Sequence, residues 1–350
     1  MRACLEHGHR DTDDTPWQAF RARLEAPGPS YDDLVVRRVL LASPRGYCAG
    51  VERAVEAVAR ALDLYGAVYV RKEIVHNRHV VRDLQERGAI FVQEEQEAPA
   101  GATLVLSAHG VAPDVYRRSR ELGQKTIDAT CPLVTKVHVQ ARRYAQEGYR
   151  IVLIGHAGHE EVVGTMGEAR EAIVLVESVA DAEALSFPTG SKLAYVTQTT
   201  LSVEETAEIV DVLRRRFPDI RSPKREDICY ATSNRQRAVR EMLDQIQLLL
   251  VIGSQNSSNS NRLVDVARAG GIEAHLIEDA GAIEERWLDA VETVGVTSGA
   301  SAPERLVEGV CDWFRERGVE QIEQCRIVDE HMEFRLPVEL RRALDAAGGA

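Results

Sequence analysis

A cysteine stands at the seam between a strand and a helix three times in this chain, and that recurrence limits what the 350 residues can fold into. A short apolar strand ends at a cysteine in "VLLASPRGYC" (Cys48), "KTIDATC" (Cys131) and "EDIC" (Cys229). A helix-like stretch follows each time: "AGVERAVEAVARALDLYG", "PLVTKVHVQARRYAQEG" and "YATSNRQRAVREMLDQ". Next comes an apolar strand ("AVYV", "YRIVLIG", "QLLLVIG") and a polar turn ("KEIVHN", "HAGHEE", "SQNSSNSN"). A second helix, two further strands and a third helix close each unit. Cys48 and Cys131 are 83 residues apart and Cys131 and Cys229 are 98 apart, each a common domain length. Short apolar strands alternating with helices predict parallel sheets covered by helices. Repetition at this scale predicts an α/β fold of three similar units, with small, mostly parallel sheets in pseudo-threefold arrangement around a central cavity. The units are residues 38–130, 131–228 and 229–330. Residues 1–37 mix acids, Pro and Gly without periodicity and read as a flexible N-terminal extension, with a short helix around Trp17–Leu24. The tail, 331–350, is expected to pack back on the first unit.

The bulk numbers exclude several functions. A net charge of −12 speaks against a broad nucleic-acid footprint or an anionic-membrane patch. No apolar run reaches the ~18 residues of a membrane span, and the first twenty residues lack the apolar core of a signal peptide. A cytoplasmic protein is expected, in which six cysteines are thiols or metal ligands rather than a disulfide scaffold.

Ligands of open α/β sheets bind beyond the carboxyl ends of strands, where every polar turn of the repeat sits. Three units facing one axis would bring Cys48, Cys131 and Cys229 to one cavity. A helix N-terminus favours thiolate, and soft thiolates select iron–sulfur clusters or zinc. A single such cysteine would be a small buried hydrophobe; three at equivalent positions argue for a metal group. No CxxC spacing is present, which disfavours a local zinc finger. Three ligands on a cluster that normally takes four would leave one iron open. Cys4 lies in the extension, Cys311 reads as core in "RLVEGVCDWFRERG", and Cys325 reads as structural.

His76, His109 and His159 each follow an apolar strand. Singly they would be structural; together they favour anion binding or proton supply. Glu161 is either an acid stabilised at a helix N-terminus or, if burial raises its pKa, a proton donor. Thr199, Thr200, Ser257, Ser258, Asn259 and Ser301 are too many small polar residues for helix caps alone. With backbone N–H groups and imidazoles they would cradle a phosphate or diphosphate. Neither GxxxxGK[ST] nor GxGxxG occurs, so a P-loop and a nicotinamide fingerprint are unsupported.

Nine motifs in order, "RGYCAGVERAV", "EIVHN", "LSAHGV", "DATCPLVTKVH", "GHEEVVGTMGE", "VTQTTLS", "ICYATSNRQ", "GSQNSSNSNRL" and "SGASAPE", resemble the LytB family of 4-hydroxy-3-methylbut-2-enyl diphosphate reductases from about residue 38 to 335. The resemblance implies a reductive dehydroxylation of an allylic alcohol diphosphate, the last step of the methylerythritol phosphate pathway. It also implies a [4Fe–4S] cluster with three cysteine ligands, Cys48, Cys131 and Cys229. Glu161 would deliver the proton that lets water leave, aided by Thr199 and His159. His76, His109, His159, Ser257, Ser258, Asn259 and Ser301 would bind the diphosphate, with Thr200 beside them. A one-electron donor such as ferredoxin or flavodoxin is implied. Two departures stand out: the N-terminal extension has no counterpart in the family core, and Glu160 stands where the pattern implies proline, a second carboxylate able to alter the pKa of Glu161. The residues themselves leave open a zinc-dependent hydrolase with Glu161 as base, a non-enzymatic iron–sulfur sensor, and structural repeats with buried thiols.

Overall fold

A computed structural model describes residues 36–348; the extension expected over 1–37 falls, but for its last two residues, outside them. In chain order the strands are β1 (Arg38–Ser43), β2 (Val68–Arg71), β3 (Ala89–Val92), β4 (Thr103–Leu106), β5 (Lys125–Asp128), β6 (Arg150–Ile154), β7 (Ile173–Val176), β8 (Leu193–Thr197), β9 (Leu248–Ile252), β10 (Glu273–Ile277), β11 (Thr293–Ser298) and β12 (Gln321–Arg326). The helices are α1 (Ala49–Tyr65), α2 (Arg78–Glu86), α3 (Pro113–Glu121), α4 (Pro132–Gln146), α5 (Glu160–Glu168), α6 (Val179–Ala184), α7 (Val203–Arg216), α8 (Tyr230–Arg240), α9 (Ser258–Ala269), α10 (Glu304–Arg315) and α11 (Val338–Gly348).

The strands form three sheets, ordered β3-β2-β4-β5, β7-β6-β8 and β10-β9-β11-β1-β12. Every pairing between them is parallel. Continuous apolar runs such as "LLLVI" in β9 are buried at every residue, because helices cover both faces of a parallel sheet.

One assignment from the sequence needs correction. The strand before Cys48 was expected to open the first unit, yet β1 lies between β11 and β12 in the sheet of the third. The other cysteines show why. The strand before Cys131, β5, completes the first sheet beside β4. The segment before Cys229, expected as a strand, forms none; it touches the edge of the second sheet only through a parallel bridge between Arg221 and Ala194. Each cysteine therefore sits where the chain leaves one sheet for the next, and β1 closes the ring from the third unit back to the first.

Cys325 lies on β12 opposite Ala42 and packs, half-buried, against the core of the third sheet; Cys311 is buried in α10. In the tail, α11 rests on α1 and β5, with Leu340 fully buried among their apolar residues. Among the described residues no helix is long and apolar enough to cross a membrane.

Candidate active site

All three sheets point the carboxyl ends of strands at one cavity, whose walls carry each of the thirteen residues singled out from the sequence. The thiols come first. Cys48, Cys131 and Cys229 are the N-cap residues of α1, α4 and α8. Gly50 keeps two of them close: a Cβ there would meet Cys131 Sγ at 2.7 Å and Cys48 Sγ at 3.8 Å. The expectation that a helix end lowers the thiol pKa is overturned at Cys131 and Cys229. Burial, reinforced by the neighbouring Cys48, pushes Cys131 up to about 12 and Cys229 up to about 11. Losing water costs a thiolate more than a helix end returns.

Three partly buried thiols, whose thiolates would repel one another, suit a group that brings compensating positive charge and releases their protons on binding. Among the described residues no three His, Cys, Asp or Glu side chains could hold one metal ion. A single zinc needs its sulfurs within about 2.3 Å of one point, whereas an iron–sulfur cluster spreads its thiolates around a larger body. The three thiols around one cavity fit the cluster.

Glu161 lies on the first turn of α5 and is 2% exposed. Thr199 cradles its carboxyl: the backbone N–H donates to Oε1 at 2.6 Å and Oγ1 donates to Oε2 at 3.0 Å. Burial raises its pKa to about 7, the two Thr199 bonds oppose that rise, and the charge of Asp227 adds to it. The influence expected from Glu160 is absent from those causes; Glu160 faces Lys72 at 3.6 Å instead. Asp227 is a group the sequence reading missed. It is buried two residues before Cys229, accepts from Thr197 N–H at 3.1 Å and pairs with Lys136 at 3.0 Å.

The imidazoles form a cluster. His76 stacks on His109 with ring centroids 4.0 Å apart, and His159 meets them edge-on at 5.4 and 6.0 Å. His159 Nδ1 accepts from Glu161 N–H at 3.2 Å, which places its proton on Nε2. His76 Nδ1 lies 3.1 Å from Glu73, itself held by Asn256 at 2.8 Å. Burial lowers His109 well below the usual imidazole range, with His76 and His159 adding to the effect, and lowers His159 to about 4. Burial thus favours the neutral form of His109 and His159. His109 Nδ1 is buried without a partner, an orphan that an anionic ligand would satisfy.

The hydroxyl wall follows. Ser257 caps α9 by accepting from Ser260 N–H, so that helix end faces the cavity. Ser258 Oγ donates to Thr200 O at 3.2 Å, and Ser301 Oγ donates to His76 O at 2.9 Å. Gln198, inside the quoted "VTQTT" but not singled out, is buried and donates to Thr200 Oγ1 at 2.9 Å while accepting from His156 N–H. An amide between two hydroxyls at a strand end was the available signal. Helix end, hydroxyls, amide and imidazoles line one cavity with groups able to hydrogen-bond an anion.

The family model for the LytB protein matches residues 39–315. A 4-hydroxy-3-methylbut-2-enyl diphosphate reductase of Acidothermus cellulolyticus is 59% identical over 314 residues, 89% of this chain and 92% of that one. Its counterpart in Streptomyces avermitilis is 55% identical over 316 residues, 90% of this chain and 94% of that one. The solved E-1-hydroxy-2-methyl-but-2-enyl-4-diphosphate reductase of Plasmodium falciparum superposes with a TM-score of 0.87 at 36% identity, covering 89% of this chain and 99% of that one.

Proposed function

Because this chain belongs to the LytB family, we infer that it reduces 4-hydroxy-3-methylbut-2-enyl diphosphate to isopentenyl and dimethylallyl diphosphates, the terminal step of the non-mevalonate pathway. Two electrons and two protons enter. The allylic C–O bond breaks, the oxygen leaves as water, and the carbon skeleton keeps the electron pair and the second proton.

The observation that carries this reading is the meeting of three thiols, one carboxyl titrating near neutrality and an anion cradle in a single cavity. Cys48, Cys131 and Cys229 would hold a [4Fe–4S] cluster, leaving one iron without a protein ligand. Such a cluster, when bound, supplies the electrons one at a time and a Lewis acid facing the substrate alcohol. His76, His109, His159, Ser257, Ser258, Asn259 and Ser301 hold the diphosphate, and Thr200 supports the wall. The anion's charge opposes the burial that holds His109 and His159 neutral and favours their protonated forms. Glu161, with a pKa of about 7, is partly protonated at neutral pH. It gives its proton to the departing hydroxyl while Thr199 fixes its orientation and His159 borders it. General acid catalysis of this kind contributes about 10²–10⁴-fold. Electrons arrive from a one-electron carrier of ferredoxin or flavodoxin type.

The test is anaerobic purification with iron and sulfide analysis and Mössbauer spectra, with and without the allylic diphosphate. One iron site that changes on adding substrate is the expected result. Zinc, or protein that takes up no iron under strict anaerobiosis, overturns the reading.

A further inference from the structure

The repeat places one residue three positions after each cysteine, on the first turn of the helix that cysteine caps: Val51, Val134 and Thr232. All three line the cavity. Two are valine, and the third is its near-isostere with a hydroxyl. That hydroxyl is 1% exposed in its residue and lies 3.2 Å from Cys229 Sγ, while Thr232 N–H donates to the same sulfur at 3.4 Å. Cys131 also has the backbone N–H groups of Leu133 and Val134 beside it, but Val51 and Val134 offer Cys48 and Cys131 no hydroxyl. On the other side, Asn259 Nδ2 donates to Thr232 Oγ1 at 3.3 Å, and Asn259 Oδ1 accepts from Ala300 N–H at 2.9 Å.

We propose that Thr232 is a positioning and redox-tuning residue, which makes Cys229 electronically unlike the other two thiols and links it to the diphosphate anchor Asn259. This rests on the cluster assignment above. A liganding thiolate only accepts, so the Thr232 hydroxyl donates to it and must accept from Asn259. The bonds then run one way, Ala300 N–H to Asn259, Asn259 to Thr232, Thr232 to Cys229, and each polarises the next. Hydrogen bonds to cluster sulfurs draw off charge and raise the reduction potential. An anion taking the remaining Asn259 N–H changes the same chain, so substrate anchoring is felt at one sulfur.

The experiment compares wild type, Thr232→Val and Thr232→Ser, each purified anaerobically, by redox titration followed by EPR, with and without inorganic diphosphate. Thr232→Val makes the third position match the other two and keeps the volume. It should lower the ratio of reduced to oxidised cluster at fixed potential by roughly tenfold, about 59 mV for one electron. It should also abolish the shift that diphosphate causes in wild type, and Thr232→Ser should restore both. A Thr232→Val potential equal to wild type, or a serine variant that behaves as valine, overturns the proposal. Wild type that assembles no cluster fails the functional reading instead, so the two failures are separable.

Discussion

Glu161 concentrates the chemistry of one residue. Its carboxyl has a pKa of about 7 against 4.5 in an unfolded chain. A raised acid stabilises the fold fully below about 4.5 and loses that contribution as pH climbs through 7, in all about 3 kcal/mol. His159, lowered to about 4 from 6.5, behaves oppositely: its contribution is complete above about 6.5 and is lost as pH falls towards 4. Glu161→Gln should therefore gain Tm relative to wild type between pH 5 and pH 7.5, read by calorimetry of both proteins across that range. The same variant should lose about 10²–10⁴ in kcat with iron content unchanged. Activity close to wild type would remove Glu161 as the proton donor.

At the scale of the element, the first turns of α1, α4 and α8 do the work, because a helix N-terminus fixes its cap residue and the next few side chains together. Gly50 illustrates the constraint. Alanine is a better helix former by about 1 kcal/mol, yet its Cβ would fall 2.7 Å from Cys131 Sγ. Gly50→Ala should keep its helical circular dichroism and lose most bound iron; full iron loading would show that the sulfurs can shift. On the opposite wall, Asn77 caps α2 by accepting from His79 and Val80 N–H at 3.1 and 3.2 Å, immediately after His76. Asn77→Ala should cost about 1 kcal/mol in chemical denaturation and raise KM more than it lowers kcat, since His76 would be less well placed.

The whole molecule is a ring of three sheets, closed at the top of the chain by β1 and braced at its end by α11. Leu340 is the bolt of that brace, fully buried against α1 although some 280 residues separate it from the core it joins. Leu340→Ala should destabilise by about 2–5 kcal/mol, measured as a fall in denaturation midpoint, and should loosen α1, whose cap is Cys48. An unchanged midpoint would mean that α11 is dispensable.

Residue types and their spacing were enough to read the alternating strands and helices, the three equivalent cysteines and the hydroxyl-rich turns, because those signals are local: period, cap and turn chemistry reside in a few neighbouring residues. The sheet that β1 joins could not be read this way, since "RVLLAS" carries the same apolar pattern whichever edge it meets. Thiol acidity went the wrong way for a related reason. The helix end is visible in sequence, but burial depends on all three units closing around the sulfurs, and desolvation outweighs the dipole. Asp227, Gln198 and Thr232 were passed over singly because each also has a partner 27 to 42 residues away in the chain. Only the folded chain decides which of many buried polar groups meet, because a hydrogen bond needs its donor and acceptor within about 3 Å, a condition that sequence distance does not encode.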